Sequence, residues 1–138
     1  GVGFVRGLGL ERGAIASSVG HDSHNILVAG ADDASMHRAL EEVVELGGGL
    51  VVADGADVPC SLALPIAGLM SDRPLEEVRE ALDGLHDAYH SFGGTLTDAF
   101  MALSFLALPV IPALKITDLG LVDVERFEVV PLWLDQPA

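Results

Sequence analysis

The sequence predicts an α+β fold, a mixed or largely antiparallel sheet packed by about three helices. Three observations point there. Short apolar runs bounded by Gly, Pro and Asp recur where strands belong. Two longer stretches carry apolar residues at three- and four-residue spacing, and another is apolar nearly all round. Their order is strands, helix, hairpin, two helices, strand, which is not the alternation that builds a parallel sheet.

Val2–Arg6 reads as a first short strand, broken by Gly7-Leu8-Gly9-Leu10 and the turn Glu11-Arg12-Gly13. Ala14–Val19 and Ile26–Ala29 read as the next two. Their nearly unbroken apolarity implies burial on both faces or cover by helices. Asp32 or Asp33 can cap the following helix, because a carboxylate there accepts free backbone N–H groups. Met36, Leu40, Val43 and Val44 form its apolar stripe. Gly47-Gly48-Gly49 ends it, since glycine adopts positive φ at little cost. Leu50–Ala53 and Val58–Leu64 then make a hairpin around Asp54-Gly55, with Pro59 marking an edge strand or a bulge.

Ser71-Asp72-Arg73-Pro74 opens the clearest helix, with Ser or Asp as cap. Its stripe is Leu75, Val78, Leu82, Leu85, Tyr89 and Phe92, and Gly93-Gly94 stops it. His86 and His90 fall on its polar side and read as solvated. Thr97 or Asp98 caps a shorter, buried helix running to Leu106. Pro109 and Pro112 end regular structure, Gly120 marks a turn, and Phe127–Trp133 reads as a last strand. Residues 1–138 suit one domain, able to bury roughly two-thirds of its unfolded surface.

Net charge is -14, from 21 acidic and 7 basic residues. Such a surface repels phosphates, which excludes nucleic acid and anionic membranes as expected partners. No stretch has the ~18 uninterrupted apolar residues of a membrane span. Cys60 is the single cysteine, so no internal disulfide is available and a reducing, cytoplasmic setting is expected. Cys60 itself reads as a small core hydrophobe. The chain has no initiator Met and opens on what reads as mid-strand sequence, as a piece of a longer polypeptide would.

One stretch concentrates chemistry. His21-Asp22-Ser23-His24-Asn25 joins two apolar strands, and polar clusters at strand ends are where folds place ligand contacts. His21 and His24 are weak candidate metal ligands, since two imidazoles leave a four-coordinate site unfilled. The bland alternative is a turn in which Asp22 and Asn25 bond to backbone and both imidazoles are solvated. Asp22-Ser23-His24 holds the side-chain types of a serine triad, but adjacent residues do not reach triad geometry and no G-x-S-x-G elbow is present. Gly47–Gly49 follows a helix instead of preceding one, which excludes a phosphate cradle. Pro65–Ser71 reads as an apolar connection filling the core, with the lining of a ligand pocket or an interface as the alternative. Phe100, Met101, Phe105 and Trp133 read as core packing, with stacking on a planar base as the alternative.

Gly7–Ile26, which includes His21-Asp22-Ser23-His24-Asn25, closely resembles the C-terminal domain of prokaryotic adenine deaminases. So do Gly48–Val52, Leu64–Ser71, Leu103–Pro112 and Leu119–Val124, in the same order along nearly the whole chain. The resemblance implies an amidohydrolase-superfamily enzyme that converts adenine and water to hypoxanthine and ammonia. It implies as partner an N-terminal (β/α)8 barrel, whose two-metal centre (manganese or iron) activates water. None of the barrel's motifs, its His-x-His included, occurs here, so no catalytic or metal-ligating residue and no cofactor is expected in this segment. His21, Asp22, Ser23, His24 and Asn25 are the candidate loop that completes the barrel's active site or binds substrate. The alternatives are a purely structural or homo-oligomerisation module, and a stand-alone purine- or metal-binding protein.

Overall fold

A computed structural model describes residues 1–133. Ten elements follow in order: β1 (Ala14–Ser17), β2 (Leu27–Gly30), α1 (Asp33–Glu45), β3 (Gly49–Asp54), β4 (Asp57–Ala63), α2 (Leu75–Ser91), α3 (Ala99–Phe105), β5 (Leu114–Thr117), β6 (Gly120–Asp123) and β7 (Glu128–Val130). They form two antiparallel sheets, ordered β2-β1-β3-β4 and β5-β6-β7. The α+β expectation with three helices holds, and every pairing is antiparallel.

The first sheet is buried on both faces. Successive side chains of a strand point to opposite sides, and β1 and β3 divide their apolar residues accordingly. Ala14, Ala16, Val51 and Ala53 pack with Ala39 and Val43 of α1. Ile15, Leu50 and Val52 pack with Leu85, Tyr89, Phe100 and Leu103 of α2 and α3. The sheet face under α1 is made of alanine and valine, and the helix turns its shorter side chains toward it. Its buried positions are Ser35, Ala39 and Val43. The expected stripe is therefore rotated: Leu40 and Val44 are exposed.

The caps follow the sequence reading in part. Asp32 is the N-cap of α1 and accepts the Ser35 N–H at 2.8 Å. Asp98, not Thr97, caps α3 through the Met101 N–H at 2.9 Å. For α2 the cap position is Pro74, and neither Ser71 nor Asp72 makes a capping bond there. Leu75 is exposed, while Leu85, Tyr89 and Phe92 are buried. β4 is an edge strand, as Pro59 requires.

Three expectations need correction, and one hairpin lies outside them all. Val2–Arg6 is not a strand; the segment lies against the second sheet, with the Gly1 amino group on the Asp118 carbonyl at 3.2 Å and Gly3 against Ile116. The hairpin β5–β6 was not anticipated. It is tied to the end of α3 by the Ile116 N–H on the Leu106 carbonyl, 2.8 Å. The final strand is β7 alone, shorter than Phe127–Trp133. α3 buries Phe100 and Leu103 but leaves Met101 (53 %) and Phe105 (38 %) exposed, so it is one-sided. Residues 134–138 of the expected domain lie outside the described residues.

Candidate functional site

Strand register collects three connections at one end of the four-stranded sheet. Ser17 faces Leu27 on one side and Leu50 on the other, and Gly49 faces Ala63. The β1–β2 link, the Gly47-Gly48 turn before β3 and the Pro65–Met70 loop after β4 therefore share that end.

Two of the three are locked together by buried Ser18. Its hydroxyl accepts the Gly49 N–H at 2.8 Å and donates to the Gly68 carbonyl at 2.6 Å. Gly48, at φ 120, lets the two backbones touch, for a methyl there would overlap the Gly68 Cα. Ala67 and Gly68 take left-handed φ values of 57 and 73, closing a tight turn from Ile66 to Met70. Only the glycine is buried. Pro65, Ile66, Ala67 and Met70 are exposed, so this loop is not the core filler its composition suggests.

The third connection is the reverse case. All five side chains from His21 to Asn25 are exposed. The backbone is nonetheless ordered: the His24 N–H bonds the Gly20 carbonyl and the Ser23 N–H the His21 carbonyl, both at 2.9 Å. Asp22 and His24 adopt left-handed φ values of 65 and 49, conformations uncommon outside glycine. His21 is anchored to α3, its N–H on the Ser104 carbonyl at 3.4 Å and its ring on Phe105, centroids 5.3 Å apart and planes 27° apart. Its Nδ1 lies 3.2 Å from an Asp22 carboxylate oxygen.

The loop's polar groups do not converge on one point. Asp22 contacts His21 and not His24, which agrees with rejecting a serine triad. Among the described residues no group of three or more His, Cys, Asp or Glu is placed to hold a metal ion. A two-metal centre does not fit these side chains. Sequence reasoning missed Ser104 and Phe105 as the loop's supports. They lie some eighty positions away, and nothing in local spacing signals the contact.

Burial pushes the Cys60 thiol up, which leaves it poorly nucleophilic. Backbone and hydroxyl bonds from Ser35 hold the Asp32 carboxyl below its usual range. His90 is exposed, as expected, but His86 is not solvated: its ring stacks with Phe100, and its buried Nε2 has no partner among the described residues. A cavity of about 550 Å³ lies along the free edge of β2 against the N-terminal segment. Its lining is backbone and apolar side chains apart from Asp32 and Asp33, so it offers no imidazole. No helix among the described residues is long and apolar enough to cross a membrane.

The family model described as adenine deaminase C-terminal domain matches residues 1–128. A protein named adenine deaminase from Oleidesulfovibrio alaskensis is 58% identical over 133 residues, 96% of this chain and 23% of the relative. One of the same name from Methylobacterium nodulans is 60% identical over 94% of this chain and 23% of its own length. A third, from Methanothrix thermoacetophila, is 58% identical over 98% of this chain and 24% of its own. The chain thus spans about a quarter of the length of the curated relatives it matches.

Proposed function

The chain belongs to the adenine deaminase C-terminal domain family, and from that premise we propose that it is the C-terminal lobe of an enzyme converting adenine and water to hypoxanthine and ammonia. Residues 1–138 act as one domain, docked on an amidohydrolase-type (β/α)8 barrel in the cytoplasm. The barrel holds the two-metal centre, manganese or iron, and this lobe brings the His21–Asn25 loop to the barrel mouth. There its imidazoles, carboxylate and amide complete the purine pocket or relay protons.

One observation carries this reading. Five polar side chains stand exposed on an ordered loop with left-handed backbone at Asp22 and His24, while the scaffold beneath them is buried and paired. Unusual backbone conformations persist where the surrounding structure enforces them, and they cluster at ligand contacts. The test is an alanine scan of His21, Asp22, Ser23, His24 and Asn25 in the full-length enzyme. At least one position is expected to lower adenine turnover by about a hundredfold, in the range for a positioned acid or base. Unchanged turnover and metal content at all five would refute it.

A second reading is that the lobe is purely structural, supporting the barrel or its oligomer. It is favoured by the exposed apolar residues Ile66, Met70, Met101 and Phe105. Deleting the lobe should then abolish solubility or assembly. A barrel that stays soluble, assembled and active without it ends that idea.

A further inference from the structure

We propose that His21 is the group of the loop that meets substrate, through Nε2 as a hydrogen-bond acceptor for a purine N–H, with Asp22 and Phe105 as its positioning residues. The inference rests on the reading that this loop reaches the adenine site. It adds which of the five side chains acts and how it is held.

The two imidazoles of the loop are not equivalent. His24 has its backbone N–H on Gly20, and its ring is exposed. His21 is fixed from three directions: its backbone by Ser104, its ring plane by Phe105, and its Nδ1 edge by Asp22. Of the two neutral tautomers, a carboxylate oxygen 3.2 Å from Nδ1 selects the one that carries its proton there. Nε2 then keeps its lone pair, and a neutral imidazole with a free ring nitrogen accepts from N–H or O–H. Adenine presents N–H donors on its amino group and its five-membered ring, and it is planar. Phe105, stacked with His21 and 38 % exposed, extends the flat apolar surface on which such a ring could lie. Asp22 suits its place as well: at φ 65 aspartate is among the few residues that tolerate the left-handed region.

The test compares kcat and KM for adenine, with Tm, in the full-length enzyme carrying His21→Ala, His21→Gln, Asp22→Gly, Asp22→Asn and the double variant H21A/D22G. Glycine and asparagine keep position 22 free of backbone strain. His21→Ala is expected to cost about a hundredfold in kcat/KM, as loss of a substrate hydrogen bond to a site group does. His21→Gln, which returns an acceptor oxygen at similar reach, should recover about tenfold of that. Asp22→Gly should cost roughly tenfold, as loss of an orienting carboxylate does, and Asp22→Asn much less. The double variant should be no worse than His21→Ala, because Asp22 acts only through His21. Full turnover in His21→Ala, or an Asp22→Gly penalty undiminished in the His21→Ala background, overturns the proposal. If His21→Ala lowers Tm, His21→Gln decides: a loss equal to that of alanine overturns it. Variants at Ser23, His24 or Asn25 separate the two levels. If these abolish turnover while His21 is silent, the loop reading stands and this inference falls; if all are silent, both fall.

Discussion

Two connections at the same end of one sheet do opposite things with their polar groups. The junction of Ser18, Gly48 and Gly68 is buried, its hydroxyl spent on Gly49 and Gly68, with no room for a methyl at Gly48. A few residues on, the His21–Asn25 loop spends only its backbone on order and leaves five side chains to solvent. The contrast separates fixing a surface from furnishing it. The junction holds the sheet end in place, and the loop presents groups that the fold does not consume.

Breaking the junction should produce the largest loss of stability and say nothing about substrate. Gly48→Ala forces a methyl onto the Gly68 backbone at a left-handed φ, and a cost of roughly 3 kcal/mol or more is expected. Ser18→Ala removes the partner of a buried N–H and should cost about 1–3 kcal/mol. Urea unfolding measures both. A smaller loss for Gly48→Ala than for Ser18→Ala would contradict the close approach of the two backbones.

His86 sharpens the comparison from the other side, as a buried polar atom that neither junction nor loop uses. Its Nε2 has no partner among the described residues, so His86→Leu should leave stability unchanged or raise it by up to about 1 kcal/mol, since an unpaired buried polar group is replaced by an apolar one. A clear fall in Tm would mean that Nε2 does have a partner in the full protein.

The smallest expected effect lies at the far end of α1. Asp32 has a depressed carboxyl pKa in the folded chain, so the stability it contributes is full above its unfolded value and is lost as pH falls through the folded one. Asp32→Asn should therefore narrow the stability gap to wild type as pH drops below about 4, with little change in that gap between pH 6 and 8. Parallel thermal melts across that range read this directly.

Local chemistry made much of the fold legible. The β3–β4 hairpin announced itself through Asp54-Gly55, the end of α1 through Gly47-Gly48, and the starts of α1 and α3 through Asp32 and Asp98. Partnering was illegible. Val2–Arg6 has strand-like composition but no ladder to join, and β5–β6 hid in two four-residue runs too short to show a period. The face of α1 turned because the sheet opposite is lined with small residues, a fact about residues far away in the chain. The candidate loop stood out as polar residues between apolar strands. Its supports did not, since Phe105 and Ser104 looked like the interior of a buried helix.

The central claim is that the loop belongs to an active site that the lobe alone does not build. It is tested most directly by replacing His21–Asn25 with a glycine- and serine-rich turn of equal length in the full-length enzyme, and measuring kcat/KM for adenine beside Tm. The account predicts a loss of about a hundredfold or more at unchanged Tm. Wild-type turnover at unchanged Tm would contradict it.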